Sequence, residues 1–141
     1  MAVRFHFQTT ITLKDRRRLK AFIEQLVRKE AGLPVEIQFI FCSDEELLQI
    51  NRDYLKHDYY TDIITFDLSE PSRKQIQSDI FISIDRVKEN AQGLSVSTYE
   101  ELHRVMFHGV LHLCGYKDKS ARDQTLMRSK EDFYLKKYGF K

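Results

Sequence analysis

Two histidines four residues apart, His108 and His112, are the residues of this chain best suited to bind a metal ion. On an α-helix this spacing places both side chains on one face, so that two imidazole nitrogens can reach one ion. Gly115 follows at a position typical of a helix end, and the chain can then turn back and present Asp118 as a third ligand. The pattern H-x-x-x-H-x-x-G-x-x-D therefore predicts a three-ligand site with a position open for water, as in catalytic zinc sites. The alternative is that both histidines are hydrogen-bonded residues in the wall of a buried helix.

Hydrolysis is the chemistry that this ligand set favours. A metal ion held by two imidazoles and a carboxylate can lower the pKa of a water molecule bound to it. The same ion can polarise a phosphoryl or carbonyl oxygen of a substrate. The predicted catalytic residues are thus the metal ligands His108, His112 and Asp118, acting through the metal-bound water. One Zn²⁺ per chain suits them best, while ligand type leaves nickel, iron and manganese open. The spacing also matches metzincin proteases, but Gly109 occupies the position of their catalytic glutamate, so peptide hydrolysis is the less favoured alternative.

The elements that must position these residues follow from the hydrophobic periodicity. The helix after Ser97 carries both histidines and is apolar on nearly all sides near them, so it is expected to be central. Strands are predicted at residues 2–8, 35–41, 63–66 and 80–84, and the other helices at about 13–30, from 43, at 85–93 and at about 120–138. The last helix is expected to face the core with Leu126, Met127, Phe133 and Tyr134. The polar residues 68–78 are expected to form a mobile loop. The predicted fold class is α+β, with one four-stranded mixed sheet and about five helices packed round a central metal-binding helix.

Length and composition limit the number of domains and the class of protein that the chain can form. A chain of 141 residues predicts a single domain, residues 1–141, with a sizeable core. Its apolar runs are far shorter than the roughly 18 residues that a membrane helix requires, and the N-terminus lacks the apolar block of a signal peptide. The two cysteines, Cys42 and Cys114, do not make a disulfide framework, and Cys114 is expected to point away from the metal and to act as a small buried hydrophobic residue. We therefore expect a cytoplasmic protein with no membrane contact, and the oligomeric state is left open.

Charge is unevenly distributed along the chain, although the net charge is only +2. Residues 1–35 carry a net charge of +5, residues 36–116 one of −7, and residues 117–141 one of +4. The densest basic cluster consists of Lys14, Arg16, Arg17, Arg18 and Lys20. A solvated helix face is the simplest explanation of the cluster, but basic ends that flank a metal centre would also suit a phosphate-rich substrate.

The segment HGVLHLCGY at residues 108–116 resembles the signature of the YbeY family of bacterial endoribonucleases, also called ribosomal RNA maturation factors. Residues 51–66 resemble the family's N-x-x-Y…D-x-x-T-[DN]-[VI]-L-[ST]-F segment, and residues 79–83 resemble its D-I-x-I-S strand. The likeness covers about residues 35–135. It implies a small α+β metalloprotein that acts on ribosomal RNA in the cytoplasm, in maturation of the 3′ end of small-subunit RNA and in ribosome quality control.

Three departures from the family pattern bear on activity. The family has a third histidine as ligand where this chain has Asp118, which can still bind a metal but with a different affinity. The family also has an arginine, implicated in RNA processing, where this chain has Leu55. Ser78 replaces a glycine at the start of the family's strand, and this change is expected to alter only a turn.

The resemblance leaves two functions to be weighed. The first is a metal-dependent single-strand endoribonuclease that matures the 16S ribosomal RNA 3′ end, with ribosomal RNA and the small ribosomal subunit as partners. The second is a ribosome- or RNA-binding assembly factor whose metal is structural, an alternative that the missing loop arginine favours. Candidate RNA-binding residues are the basic side chains Arg52, Lys56 and His57, which would stand in for that arginine, and Arg16, Arg17 and Arg18.

Overall fold

The computed structural model describes residues 2–141 and contains nine elements in the predicted order. The strands are β1 (Val3–Phe7), β2 (Val35–Cys42), β3 (Ile63–Asp67) and β4 (Ile76–Ser83). The helices are α1 (Arg16–Ala31), α2 (Asp44–Leu55), α3 (Ile84–Leu94), α4 (Thr98–Leu113) and α5 (Ala121–Tyr138).

The four strands form one mixed sheet with the order β1-β2-β4-β3. Strands β1, β2 and β4 are parallel neighbours, and β3 runs antiparallel at the β4 edge. The two central strands, β2 and β4, are almost wholly buried and rich in isoleucine and phenylalanine, as is expected of parallel strands inside a sheet. The predicted α+β class with a four-stranded mixed sheet and five helices is confirmed.

Serine caps fix where most of the helices begin. Ser43, Ser83, Ser97 and Ser120 each accept a hydrogen bond from a backbone N–H of the following turn. Such caps satisfy donors that the helix itself cannot, and removing one typically costs about 1 kcal/mol. The cap at Ser97 is the one that matters for the site, because it sets the register in which α4 presents its histidines.

Helix α4 is the central helix of the fold. It packs against α1, α3 and α5 and also against β3 and β4, and most of its residues are buried. Gly109 allows the close approach to the sheet, since a Cβ at this position would lie only 2.8 Å from Cδ1 of Ile63 on β3. The central position predicted for this helix is therefore found, and its metal-binding role stays a prediction.

Three sequence expectations about local structure differ from the structure. Strand β4 begins at Ile76, so the last three residues of the stretch expected to be a mobile loop, residues 76–78, are paired with β2 instead. Ser78 consequently lies inside a strand and not in a turn, buried, with its hydroxyl donating to the Phe66 carbonyl oxygen at 2.6 Å. Leu126 and Phe133, expected to face inward from α5, are about half exposed.

The pattern of buried residues on α5 explains why Leu126 and Phe133 were expected to face inward. It runs through Met127, Glu131, Tyr134, Leu135 and Tyr138 at helical spacing. A carboxylate on this stripe made the apolar pattern harder to recognise. Among residues 2–141, none of the helices combines the length and apolar character needed to cross a membrane.

Candidate metal centre and adjoining cavities

The C-terminal half of α4 and the turn after it bring two of the three predicted ligands into contact. Helix α4 ends at Leu113, and Gly115 takes a positive φ of 106°, which glycine adopts at little cost. The chain then reverses, and Oδ2 of Asp118 lies 3.1 Å from Nε2 of His108. His112 is the third residue of the set and lines the same cavity as both of them.

A buried carboxylate on α5 orients His108. Oε2 of Glu131 lies 2.7 Å from Nδ1 of His108, and Oε1 accepts a hydrogen bond from Arg104 at 3.0 Å. Burial alone would lower the pKa of His108, but the hydrogen bond and charge of Glu131, together with the charges of Asp118 and Asp62, raise it. Glu131 is only 4% exposed, so this contact fixes the ring firmly.

The ring of His112 is held by the turn that follows it. Its Nδ1 lies 3.0 Å from the carbonyl oxygen of Tyr116, and the Tyr116 hydroxyl donates to Oε1 of Glu30 at 2.6 Å. Glu30 also accepts from the hydroxyl of Tyr134 and lies 3.4 Å from the ammonium of Lys130. Burial would raise the pKa of Glu30, but these hydrogen bonds and the lysine charge lower it.

Both histidines therefore have their Nδ1 atoms engaged by protein oxygens, one by a carboxylate and one by a carbonyl. This is the arrangement typical of metal-binding histidines, because it leaves Nε2 of each ring as the ligand atom. Across residues 2–141, however, no three His, Cys, Asp or Glu side chains stand close enough to form a complete metal-binding group. The donor set fits a Zn²⁺ ion in its chemistry, with two imidazoles and one carboxylate.

Cys114 does not join this donor set. It packs against the core, and burial, with a smaller contribution from the charge of Glu30, raises the pKa of its thiol to about 12. A thiol must be ionised to bind zinc, so the sequence expectation that Cys114 behaves as a small hydrophobic residue agrees with its surroundings.

Two cavities meet at His108 and Asp118. The first, here called the helix cavity, has a volume of about 430 Å³ and lies between α4, α5 and the start of β3. The second, here called the loop cavity, has a volume of about 370 Å³ and lies beside residues 55–59. Both are lined by His108 and Asp118, so a ligand that occupied either cavity would lie against the candidate centre.

The loop candidates for RNA binding are differently placed. His57 lines the loop cavity and stacks on Tyr59, with ring centroids 5.1 Å apart. Arg52 forms an ion pair with Asp58, and Lys56 donates to a backbone carbonyl of its own helix end. Leu55, which stands where the family has arginine, also lines the cavity. Of the three loop candidates, only His57 lines a wall of the loop cavity.

The predicted basic cluster of α1 lies at the other end of α4. The hydroxyl of Tyr99, on the first turn of α4, donates to the Lys14 carbonyl, whereas His112 is 13 residues further on, about 20 Å along the helix. The guanidinium of Arg16 covers the Phe7 ring, and that of Arg18 covers the Tyr138 ring. Arg17 is exposed. An RNA-binding role for Arg16, Arg17 and Arg18 stays a prediction, and it would require RNA to extend well beyond the histidines.

Sequence reasoning missed the acidic residues that support the site. Glu131 on α5 and Glu101 on α4 are both buried, and Glu30 reaches the site region from α1. A signal for Glu131 and Glu101 was present in the sequence. Each is a charged residue at a position where the helical spacing of the buried residues predicts an apolar side chain. For Glu30 there was none, because its partners Tyr116 and Tyr134 are far away in sequence.

Comparisons with known proteins agree with this fold. The family model described as Endoribonuclease YbeY matches residues 5–139. The Endoribonuclease YbeY of Cytophaga hutchinsonii is 53% identical over 131 residues, which cover 93% of this chain and 91% of that protein. The Endoribonuclease YbeY of Flavobacterium psychrophilum is 45% identical over 139 residues, 99% of this chain and 98% of that protein.

A solved structure shares the architecture. The solution structure of TM1509 from Thermotoga maritima superposes with a TM-score of 0.65 at 28% identity, over 96% of this chain and 88% of that one. An α+β domain with a histidine pair on its central helix is thus the class that fold and site define. The chain belongs to the YbeY endoribonuclease family.

Proposed function

We propose that this chain is a metal-dependent endoribonuclease that cleaves single-stranded RNA. The observation that carries the proposal is the pair of hydrogen bonds to Nδ1 of His108 and of His112, since these leave Nε2 of each ring for an ion. Family membership supports RNA as the substrate and hydrolysis as the reaction.

His108, His112 and Asp118 would hold one Zn²⁺ per chain. When bound, such an ion polarises a phosphoryl oxygen and makes water a stronger nucleophile. The protein's own contribution is to fix the ligands: Glu131 fixes the His108 ring, and the Tyr116 carbonyl fixes that of His112. These contacts hold the ligand atoms in place before substrate arrives, which is what efficient catalysis requires.

The loop cavity supplies a surface for the RNA strand. Tyr59 is 55% exposed and stacks on His57, so the pair offers an aromatic face on which an unpaired base can stack. Lys119 lines the same cavity, follows Asp118 in the chain, and can neutralise a phosphate. A single strand satisfies this geometry better than a duplex, because a paired base has no free face to stack.

In the cell, the proposed substrate is ribosomal RNA. The family likeness supports processing of the 16S ribosomal RNA 3′ end, with the small ribosomal subunit as partner and the cytoplasm as the compartment. An exposed cavity lined by His108, Lys119 and aromatic residues is compatible with a strand that is presented by a larger particle.

The first test is metal content. Purified wild-type protein and His108→Ala are compared by elemental analysis, with His6→Ala as control, since the His6 side chain lies on β1 and bonds to Gln38, away from both cavities. We expect close to one zinc per chain in the wild type and in the control, and less than a tenth of that in His108→Ala. A wild type that is folded and carries no metal would refute the metal-dependent mechanism.

The second test is cleavage. A labelled single-stranded oligoribonucleotide, its DNA counterpart and its RNA duplex are incubated with wild type, His112→Ala and His6→Ala. We expect cleavage of the single-stranded RNA by wild type and by His6→Ala, and none by His112→Ala when circular dichroism shows it to be folded. Cleavage by folded, metal-free His112→Ala would remove the histidines from the catalytic assignment.

A second candidate function rests on Leu55. Without the family's arginine in the loop cavity, the chain could act as an assembly factor that binds ribosomal RNA with a structural metal and little cleavage. This function predicts that His112→Ala lowers the thermal midpoint while binding to small ribosomal subunits persists. Pelleting with purified subunits separates the two functions, because an endoribonuclease releases an RNA fragment and an assembly factor does not. The protease alternative has no support in the family to which the chain belongs.

A further inference from the structure

The helix cavity contains an unpaired acid. Four carboxylates line this cavity: Asp62, Glu101, Asp118 and Glu131. Asp118 and Glu131 bond to His108, and Asp62 accepts a hydrogen bond from Asn90 at 3.2 Å. Among residues 2–141, no donor is found for the Oε1 atom of the Glu101 carboxylate, which is fully buried.

Leaving this acid unpaired is costly. Glu101 is only 5% exposed, and a buried carboxylate without a donor loses the hydration that stabilised it in water. Burial raises the pKa of Glu101, Asp62 adds to the effect and the nearby Arg104 opposes it. The hydrogen-bonding groups of Arg104 are directed instead to Glu131 and Asp132. Glu101 therefore presents an acceptor that a ligand with N–H donors can satisfy.

The other walls of the cavity restrict what that ligand can be. Arg128 on α5 lines the cavity with a half-exposed guanidinium, and Gln124 adds an amide. Val105 and Met127 supply apolar contacts, as a flat ring requires. A phosphate is disfavoured by the four carboxylates. A nucleobase fits better, because it combines a flat apolar face with an edge of donors and acceptors.

Guanine matches the polar groups better than the other bases do. Its Watson–Crick edge carries two adjacent donors, N1–H and the N2 amino group, which together suit one carboxylate. Adenine and cytosine offer a single amino group there, and uracil a single ring N–H. The O6 and N7 acceptors of guanine are the usual partners of arginine, which Arg128 can supply. At about 430 Å³ the cavity is also within the size range of small-ligand pockets.

We propose that the helix cavity is a nucleobase pocket in which the Glu101 carboxylate selects guanine in the RNA strand that passes the His108–Asp118 centre. The inference rests on the proposed RNA substrate and adds a sequence preference to it. Because the helix cavity and the loop cavity share His108 and Asp118, a strand across the centre places one nucleotide on each side of the phosphate nearest the histidines. The helix cavity selects the base on one side of this phosphate. The loop cavity stacks the base on the other side, whichever base it is.

The test is binding of short RNA strands that differ at one base. Nine-nucleotide fluorescein-labelled oligouridylates carry guanosine, inosine, adenosine or uridine at the central position, and dissociation constants are measured by fluorescence anisotropy with strand integrity checked on gels. For the wild type we expect guanosine to bind about tenfold more tightly than adenosine or uridine. Inosine lacks only the N2 amino group, so it should fall between them.

The matched variants are Glu101→Gln and Glu100→Gln, which remove the same charge from neighbouring positions of α4. The glutamine amide at 101 turns one acceptor into a donor that faces the donors of guanine, so the preference for guanosine over adenosine should drop below twofold. In Glu100→Gln the preference should remain, because Glu100 does not line the cavity. If Glu101→Gln fails to fold, the comparison of guanosine with inosine on the wild type still decides the question.

The outcomes separate this inference from the proposed function. Equal binding of the guanosine, inosine and adenosine strands by wild type would refute the guanine pocket and leave RNA binding intact. A guanosine preference that survives in folded Glu101→Gln would assign the selection to another residue and overturn the role of Glu101. If none of the strands binds, the proposed RNA substrate fails and the pocket fails with it.

Discussion

The carboxylate of Glu131 on α5 lies 2.7 Å from Nδ1 of His108 on α4. The same carboxylate accepts from Arg104, whose other terminal nitrogen donates to Asp132 at 2.7 Å. An imidazole held in this way has a fixed orientation and a more basic Nε2 atom, and both effects favour a metal ion at Nε2. The contact therefore couples the packing of two helices to the strength of the proposed metal site.

Replacing Glu131 by glutamine tests this coupling. Glutamine keeps a hydrogen-bond acceptor near the ring but removes the negative charge, so we expect Glu131→Gln to bind zinc about tenfold to a hundredfold more weakly. The affinity is measured by competition with a coloured chelator. Asp132→Asn is the control, since it removes a charge from the same Arg104 group without contacting His108. Equal zinc affinities for wild type and Glu131→Gln would show that the carboxylate serves packing only.

Replacing Asp118 by histidine restores the ligand type of the family signature. Imidazole favours zinc over manganese more strongly than a carboxylate does. We expect the ratio of manganese to zinc dissociation constants to rise about tenfold in Asp118→His and the zinc affinity to fall in Asp118→Ala. Asp123→His, in the first turn of α5, is the control because it adds a histidine outside both cavities. If neither Asp118 variant changes the metal affinities, Asp118 is not a ligand.

Removing the hydroxyl of Tyr116 should destabilise the fold in a pH-dependent way. The hydroxyl donates to the Glu30 carboxylate at 2.6 Å, so at pH 7 Tyr116→Phe should lose about 1–3 kcal/mol of unfolding free energy. The folded protein lowers the pKa of Glu30, so the stabilisation exists above the ordinary value of 4.5 and disappears as pH falls through the lowered value. The difference between wild type and variant should therefore shrink in acid.

Urea unfolding at several pH values measures this difference. Tyr99→Phe is the matched control, because its hydroxyl donates to a neutral carbonyl, that of Lys14, at 3.4 Å. Its loss of stability should be smaller and the same at pH 7 and at pH 4. A Tyr116→Phe difference that stays constant even when the pH falls well below the ordinary Glu30 value of 4.5 would mean that the ionised form of Glu30 does not contribute.

Introducing an arginine at position 55 should strengthen RNA binding. Leu55 lines the loop cavity and is 40% exposed, so Leu55→Arg can reach a phosphate of a bound strand. One added phosphate contact steepens the dependence of log Kd on log salt by about 0.7 for single strands. Anisotropy titrations between 50 and 300 mM salt (roughly the range in which such contacts are screened) provide the slopes.

Leu68→Arg is the control, since Leu68 is an exposed leucine outside both cavities, and this variant should leave the slope closer to that of wild type. Identical slopes for both variants would place the RNA elsewhere.

The fold was predictable because each element has a local signal. The alternation in β2 and the serine caps of α2 and α4 are visible in the sequence, and each reports on its own few residues. The start of β4 was missed because its pairing is decided by neighbours, not by its own residues. Ser78, for example, is satisfied by the carbonyl of Phe66 on the adjacent strand, which no local pattern contains.

The candidate site was predictable in part, for the same reason. His108, His112 and Asp118 lie within eleven residues, so spacing alone brought them together, and the contact between His108 and Asp118 is present. Glu131 and Glu30 come from other helices, and only the packing of α1 and α5 against α4 reveals them. The roles of the loop and α1 arginines depend on where the RNA runs, which sequence spacing does not define.

The link from Glu30 to Tyr116 and Tyr134 has a consequence for the order of events in folding. The residues that steady the His112 turn come from α1 and from α5, which are separated by about a hundred positions in sequence. Such distant contacts carry a loop-closure cost that local contacts lack, and α5 is the last helix of the chain to be synthesised. A growing chain would therefore contain both histidines well before it could hold them in position. Strong binding of the proposed metal ion should begin only after α5 has docked, so that the proposed hydrolytic centre matures together with the completed domain.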